Sequence, residues 1–386
     1  MSVWEAVVGQ ERAVAELRGA ASNPEAMTHA WLITGPPGSG RSVAARAFAA
    51  ALQCDEDGCG MCGPCRSVAA GSHPDVLDTA TKKVVIGIDD VREWLSLAAR
   101  APARGKWRVI IVEDADRMLE RTGNVLLKAL EEPSPRTVWI LSAPSPRDVL
   151  VTIRSRCRQV ALRIPSVEAV TRLLVEKEGV SKVEAELAAL AAQCHIGVAR
   201  RLISDPEAAA QRKKVLAIPR AASSVARAVI AAGELDAVAK ERAEAVVKGR
   251  ETADRAKLMA DMGETSRGRT SAFARARLKE FDQESARRAR RGQADTLDRA
   301  LVDLLAFYRD VLATQVGASV GLVNAADAEL VFDQANSSTL AETMARLDAI
   351  ELARKRLAAN VAPTLALEAM AVILALPALG GQRMRE

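Results

Sequence analysis

The stretch from Ala30 to Leu52 limits most strongly what this chain can fold into. It begins with an apolar run at residues 30–34, continues through a glycine-rich loop, and ends in a second apolar run from Val43 to Leu52. This order predicts a strand, a phosphate-binding loop and a helix, in which backbone N–H groups and the helix amino terminus converge on an anion. The loop consists of Gly35, Pro36, Pro37, Gly38, Ser39, Gly40, Arg41 and Ser42.

One position of the loop departs from the phosphate-binding motif. Arg41 stands where the motif has the lysine that reaches the β- and γ-phosphates, whereas Ser42 keeps the hydroxyl that can hold Mg²⁺. A guanidinium is bulkier and more delocalised than an ammonium group and does not replace it simply. The residues leave two alternatives open: ordinary ATP and Mg²⁺ binding at this loop, or a loop that keeps its fold and binds nucleotide weakly or not at all.

A pair of acidic residues follows the apolar run at residues 108–112. A motor ATPase offers an aspartate for Mg²⁺ and then a glutamate that activates water, but here Glu113 comes first and Asp114 second. The reversed order displaces both carboxylates by about one bond length, and a misplacement of about 1 Å can cost ~100-fold in rate. We therefore expect the ATPase activity of this chain alone to be lost or very weak.

Four of the six cysteines, Cys54, Cys59, Cys62 and Cys65, lie within twelve residues of one another. Clustered thiols with two-residue spacers are typical of metal ligands, and structural zinc prefers four such thiolates. The pattern predicts a structural Zn²⁺ site. Cys157 and Cys194 stand apart and are predicted to be core residues.

Strand and helix patterns alternate as far as Ile164, which predicts a doubly wound α/β domain with a parallel sheet. We divide the chain into an α/β nucleotide-binding-like domain at 1–164 that carries the cysteine loop at 54–65, a small helical domain at 165–208, and an all-helical domain at 209–386. Within these domains we expect one helix over residues 3–21, a turn at His73, and helix interruptions near residues 263–268, 292 and 317–321.

Charge and hydropathy limit the remaining function classes. The formal net charge of +5 permits contact with nucleic acid without requiring it. The basic run at 287–291 is either a solvated helix face, which is the commoner case, or a phosphate contact. No apolar run approaches the ~20 residues of a membrane span, and no signal peptide is evident at the amino terminus. We expect a cytoplasmic protein without a membrane partner.

Several motifs together resemble the bacterial clamp-loader branch of the AAA+ ATPases. They are Val-Gly-Gln at 8–10, the glycine-rich loop, the four cysteines, Leu-Leu-Lys-Ala-Leu-Glu-Glu-Pro at 126–133 and Ser-Arg-Cys at 155–157. Within that branch, the segments at 73–75, 87–92 and 304–310 are similar to the delta-prime subunits of DNA polymerase III. The resemblance spans nearly the whole chain.

The resemblance implies an AAA+ module, a helical lid and a helical collar through which five subunits form a ring. It implies a non-motor subunit without a polymerase active site, with tau/gamma and delta subunits as partners, which helps to load the sliding clamp onto primed DNA. Arg156 matches the arginine finger that acts on a neighbouring ATP site, and Arg200 matches the sensor-2 position of the lid. The spacing from Cys54 to Cys59 is shorter than is usual in the family. The alternative is an active tau/gamma-type motor.

Overall fold

The computed structural model describes residues 2–23, 25–79, 86–261 and 272–375. The chain divides into two compact units, Met1–Ser204 and Asp205–Glu386. The first unit holds every candidate site residue. The finer division at residues 164 and 208 stays a prediction.

A five-stranded parallel sheet forms the centre of the first unit, in the order β2-β3-β4-β1-β5. The strands are β1 (Ala30–Thr34), β2 (Val76–Thr79), β3 (Arg108–Val112), β4 (Thr137–Ala143) and β5 (Arg158–Ala161). The three central strands β1, β3 and β4 are buried along their whole length, which is why each contains a run of four apolar residues in the sequence. The predicted doubly wound α/β fold is confirmed.

Helices cover both faces of this sheet because alternate strand residues point to opposite sides. Ile33, Ile111 and Ile140 pack into one core with Phe48, whereas Leu32, Ile110 and Trp139 pack into the other with Leu126. The helices of this layer are α1 (Glu11–Ser22), α2 (Arg41–Gln53), α3 (Gly63–Ala69), α4 (Ile88–Ala98), α5 (Glu120–Glu131) and α6 (Val151–Arg154).

The expected single helix over residues 3–21 is wrong. A 3₁₀ helix covers Val3–Ala6, and α1 begins only at Glu11. Gly9 separates the two with a φ of 69°, a left-handed conformation that an α-helix cannot contain. A side chain at Gly9 would also lie 3.3 Å from Pro165, so close packing favours glycine there as well.

Three short helices complete the first unit: α7 (Val167–Glu178), α8 (Lys182–Ala191) and α9 (Ile196–Ser204). Ser166 and Ser181 cap α7 and α8 through hydrogen bonds of 3.2 Å from backbone N–H groups. The three helices share a small core of their own around Val170, Leu174 and Ala189. This core lets them behave as one small helical layer.

The second unit is helical throughout the residues described. Its helices are α10 (Pro206–Ala221), α11 (Val225–Asp261), α12 (Ala272–Gln315), α13 (Ala328–Ser337), α14 (Leu340–Ala358) and α15 (Pro363–Ala375). The expected interruption at Gly292 is wrong, because α12 runs through it. A side chain at Gly292 would lie 3.3 Å from the Cβ of Ala243, so the glycine lets α12 approach α11 closely. The expected interruption at 263–268 lies outside the described residues.

The interruption near 317–321 is confirmed, since Gly317 follows α12 with a φ of 65°. In the described part of the chain no helix is both long and apolar enough to cross a membrane.

The segment at 73–75 builds the turn that leads into β2. The backbone N–H of Asp75 donates to His73 Nδ1 at 3.1 Å, which confirms the turn expected at His73. The buried Asp75 carboxylate accepts three backbone N–H groups at 2.6–2.7 Å, and the guanidinium of Arg108 lies 3.1 Å away. Burial by itself raises the pKa of Asp75, but these donors outweigh it and hold the pKa below its ordinary value of 3.8.

Asp75→Asn is expected to lower the free energy of unfolding of the first unit by about 3–5 kcal/mol, because it leaves Arg108 buried without its counter-charge. A lowered carboxyl pKa stabilises the fold above about pH 4 and loses this effect as the pH falls through the folded-state pKa. The variant should therefore lose less stability than the parent as the pH falls below about 4. All five tryptophans lie in the first unit, so tryptophan fluorescence in urea titrations measures this unit alone.

The exposed Asp89 provides the control, since Asp89→Asn should cost less than about 1 kcal/mol. An Asp75→Asn protein as stable as the parent at pH 7 would contradict the role assigned to this carboxylate.

Candidate functional site

The glycine-rich loop lies between β1 and α2, at the carboxyl edge of the sheet. Gly38 and Gly40 have φ values of 87° and 90°, which glycine adopts without strain. Gly40 is the residue directly before the first turn of α2, so the helix amino terminus opens into the loop. The hydroxyl of Ser39 is fully buried and has no hydrogen-bond partner. The loop therefore joins β1 to α2 through two glycines in the left-handed conformation, and its role in phosphate binding stays a prediction.

Gln10 holds this loop in place. Its side-chain amide donates to the carbonyl of Ser39 at 3.2 Å and to the carbonyl of Arg163 at 2.6 Å. Its side-chain oxygen accepts the N–H of Arg163 at 3.0 Å. The Val-Gly-Gln segment thus links the loop to the end of β5, which gives it a structural role that the motif alone did not reveal.

Arg41 folds back onto its own loop. Its guanidinium donates to the carbonyl oxygen of Gly35 and lies 4.0 Å from a carboxylate oxygen of Asp114. Burial lowers the pKa of Arg41, while nearby carboxylates, Asp114 first among them, act in the opposite direction. The group stays charged because arginine titrates far above neutrality. The positively charged side chain that would contact a phosphate in the motif therefore contacts groups of the protein itself.

The acidic pair is also engaged by arginines. Arg46 of α2 donates to Asp78 at 2.6 Å and to Glu113 at 3.2 Å. Arg117 lies 3.0 Å from Asp114. Arg46 therefore bridges the carboxyl ends of β2 and β3 with an internal cation. Glu113 and Asp114 both have a guanidinium partner within 3.2 Å.

The next carboxylate, Asp116, has a buried oxygen without a hydrogen-bond partner. Burial, and secondarily the charge of Asp114, raises the pKa of Asp116 above its ordinary value.

The small helical layer meets the loop through His195, a residue that the sequence analysis did not single out. A Cβ atom at Gly38 would lie 2.8–2.9 Å from His195, so the imidazole packs directly on the loop. Arg200, at the predicted sensor-2 position, instead donates to Glu178 at 2.6 Å and is 57% exposed. No hydrogen bond or ion pair of the structure joins Arg200 to the loop residues among those described.

Arg156 follows the short helix α6 and lies beside the end of α5. One guanidinium nitrogen donates to the carbonyl of Thr152 at 2.8 Å and lies 3.4 Å from the hydroxyl of Ser155. The other terminal nitrogen contacts the carboxylate of Glu131, the last residue of α5. Both charged groups are partly exposed, at 36% and 49%. The arginine is accessible, and its ion pair is of the weak surface kind.

The four clustered cysteines come together between α2 and α3, and all four Sγ atoms lie within 4.8 Å of one another. The sulfur of Cys54 lies 3.7 Å from those of Cys59 and Cys62. Four thiolates around one zinc at ~2.3 Å stand about 3.8 Å apart, so the spacing fits tetrahedral Zn²⁺. Cys54 belongs to the cluster despite its unusual spacing in the sequence.

Backbone N–H groups donate hydrogen bonds to the sulfurs of this cluster. The N–H groups of Glu56, Cys59, Cys62 and Cys65 each point at a cysteine sulfur, at 3.3–3.4 Å. Burial raises the pKa of the Cys54 thiol, but N–H donors from Cys59, Glu56 and Gly58 outweigh it and lower the pKa to about 7. Burial, followed by the neighbouring thiols, raises the pKa of Cys62 and of Cys65, so these two thiols would lose their protons to a bound metal. The geometry of the four sulfurs fits a structural ion.

The cysteine loop also fixes the amino terminus. The N–H of Val3 donates to the carbonyl of Gly58 at 2.9 Å, and the indole N–H of Trp4 donates to the carbonyl of Asp57 at 2.9 Å. Trp4 is buried in the same core as Cys54 and Cys65. The 3₁₀ helix Val3–Ala6 depends on this loop for its place in the fold.

Comparison with known proteins identifies relatives of the first unit. The family model described as "DNA polymerase III, delta subunit" matches residues 9–166. The DNA polymerase III subunit delta' of Pseudomonas aeruginosa is 38% identical over 147 residues, which cover 36% of this chain and 45% of the relative. The DNA polymerase III subunit gamma/tau of Mycobacterium tuberculosis is 35% identical over 185 residues, which cover 45% of this chain and 31% of the relative.

This chain therefore spans less than half the length of these curated relatives. A solved structure of a DNA polymerase III gamma subunit-related protein from Thermotoga maritima covers 94% of this chain and 98% of its own, at 19% identity and a TM-score of 0.42. That similarity is too distant to bear on function.

Proposed function

We propose that this chain, which belongs to the DNA polymerase III clamp-loader family, is a non-motor subunit of the delta-prime type. In this role it assembles with tau/gamma and delta subunits in a cytoplasmic replisome and helps to load the sliding clamp onto primed DNA. It donates Arg156 to the ATP site of the neighbouring subunit and does not hydrolyse ATP itself. The relatives named delta' and those named gamma/tau both support membership of such a complex.

The observation that carries the non-motor assignment is the set of arginines on the acidic residues. Mg²⁺ requires several oxygen ligands in nearly octahedral geometry, and in nucleotide sites it takes them from carboxylates and phosphates. Here Glu113 forms an ion pair with Arg46, and Asp114 forms one with Arg117. A metal would have to displace a guanidinium from a 3 Å contact before it could bind. Nucleotide hydrolysis at this loop is therefore strongly disfavoured.

The position of Arg156 supports its role on a neighbour. A trans-acting arginine must be accessible, charged and held by its own element, because its effect on a transferring phosphoryl group is electrostatic. Arg156 meets these conditions: its guanidinium is partly exposed and rests on the carbonyl of Thr152.

We propose structural Zn²⁺ for the four-cysteine cluster. The ion would be held by Cys54, Cys59, Cys62 and Cys65, and all four positions of its tetrahedron would be filled. A closed site of this kind has no open position for water or substrate. Its contribution is to stabilise the loop.

The alternative is an active motor of the tau/gamma type, and nucleotide binding discriminates the two. We expect the isolated chain to show no saturable binding of a fluorescent ATP analogue at micromolar concentrations with Mg²⁺, and no steady-state ATP turnover above background. Arg41→Lys alone should not restore turnover, because Glu113 and Asp114 keep their arginine partners.

Magnesium-dependent binding in the micromolar range, or turnover by the isolated chain, would favour the motor instead.

A further inference from the structure

We infer that Glu131 is a positioning residue for Arg156: its carboxylate holds the guanidinium until the polyphosphate of a neighbour's nucleotide replaces it. The inference rests on the proposed function of Arg156. It starts from the contact between the Arg156 guanidinium and the Glu131 carboxylate. The two residues belong to the segments at 126–133 and 155–157 and lie 25 positions apart in the sequence.

The local electrostatics explain why this pair forms. Glu131 is the last residue of α5, and Glu132 follows it. Both carboxylates lie at the carbonyl end of a helix, where the macrodipole and the unpaired carbonyls disfavour negative charge. A cation is the favoured neighbour at that place. Arg156 is directed there by its hydrogen bond to the Thr152 carbonyl, which leaves the second terminal nitrogen facing Glu131.

The ion pair between Arg156 and Glu131 is weak enough for a phosphate group to replace the carboxylate. Both side chains are between one third and one half exposed, and ion pairs at such positions change an equilibrium by no more than about fivefold. A guanidinium binds phosphate oxygens with the same fork that it presents to a carboxylate, and a triphosphate carries more charge than one carboxylate. Incoming nucleotide can therefore displace Glu131, whereas in the free subunit the arginine stays in one orientation.

If Glu131 and a neighbour's nucleotide compete for the Arg156 guanidinium, weakening Glu131 should raise kcat/KM for ATP. In the reconstituted clamp loader, Glu131→Gln should raise kcat/KM for ATP two- to fivefold, chiefly through a lower KM, since the amide competes less well for Arg156. Glu131→Asp keeps the negative charge, so its kcat/KM for ATP should be close to that of the parent. Glu132→Gln removes the same charge one residue further along and should leave kcat/KM unchanged. In an Arg156→Ala background, Glu131→Gln should have no effect.

A second readout uses the isolated chain and does not depend on ATP. The rate of phenylglyoxal modification at Arg156, followed by peptide mass spectrometry, should rise two- to fivefold in Glu131→Gln and stay unchanged in Glu132→Gln. A complex that needs Arg156 but shows parental kcat/KM with Glu131→Gln overturns this inference alone. A complex with unaltered turnover after Arg156→Ala overturns the proposed function, and this inference with it.

Discussion

Replacing Arg156 by alanine is expected to slow ATP hydrolysis at the adjacent motor site by about 10³-fold, because an arginine finger in trans contributes that much or more to phosphoryl transfer. The effect requires no change in this subunit's own fold, since the Arg156 side chain is partly exposed and makes only weak surface contacts. The measurement is DNA-stimulated turnover of a reconstituted clamp loader in which only the motor site facing this subunit is competent to hydrolyse ATP.

Two further variants sharpen this experiment. Arg147→Ala removes an exposed arginine from the same unit and should leave turnover unchanged. Arg156→Lys keeps a positive charge but loses the planar fork, so it should recover only part of the rate. Assembly of the complex, followed by gel filtration, should be intact in all three. An intact Arg156→Ala complex that hydrolyses ATP at the parental rate would remove Arg156 from the reaction.

The buried part of the fold could be predicted from the sequence because its pattern is local. Strands β1, β3 and β4 are buried on both faces, so each contains an uninterrupted apolar run of four residues, at 30–33, 109–112 and 138–141. Strand β2 was not predicted. It lies at the edge of the sheet, is only partly buried, and ends in Asp78 and Thr79, so its four residues lack the apolar signal.

The same distinction between local and long-range features applies to the residues of the candidate site. Motif spacing identified Arg41, Glu113 and Asp114, since the loop and the end of β3 are local features. It could not identify Arg46 as the cation between Asp78 and Glu113, because those three residues meet only through the strand order. His195 was missed for the same reason: it packs on Gly38 from more than 150 residues further along the chain.

One consequence of these long-range partners is that a cation of the protein itself lies between the carboxyl ends of β2 and β3. Asp78 and Glu113 at these ends carry like charges that would repel each other, and the single positive charge of Arg46 lies between them and reduces that repulsion. Here that positive charge belongs to a side chain of α2, which is consistent with the non-motor role that we propose for this chain.

The second large effect is expected at the four-cysteine cluster. Removing the metal, by chelation or by Cys62→Ser/Cys65→Ser, should lower the stability of the first unit by about 3 kcal/mol. The reason is that a metal joining Cys54 to Cys65 closes a short loop, and the chain entropy of such a closure is of that size. For a unit of this length the melting temperature should fall by roughly 6–12 °C. Metal content measured on protein purified without added metal should be about one zinc per chain, and it should vanish in the double variant.

The amino terminus supplies a local readout of the same loss. Trp4 donates a hydrogen bond to the carbonyl of Asp57, and Val3 donates one to the carbonyl of Gly58. Opening the cysteine loop should break both hydrogen bonds and free the amino-terminal residues. The change in tryptophan fluorescence on chelation should therefore disappear when Trp4 is replaced by phenylalanine. Cys157→Ser, which alters a thiol outside the cluster, should keep the zinc and the fluorescence change. A parent protein that contains no metal, or a double variant that melts with the parent, would leave the cluster as four packed thiols without an ion.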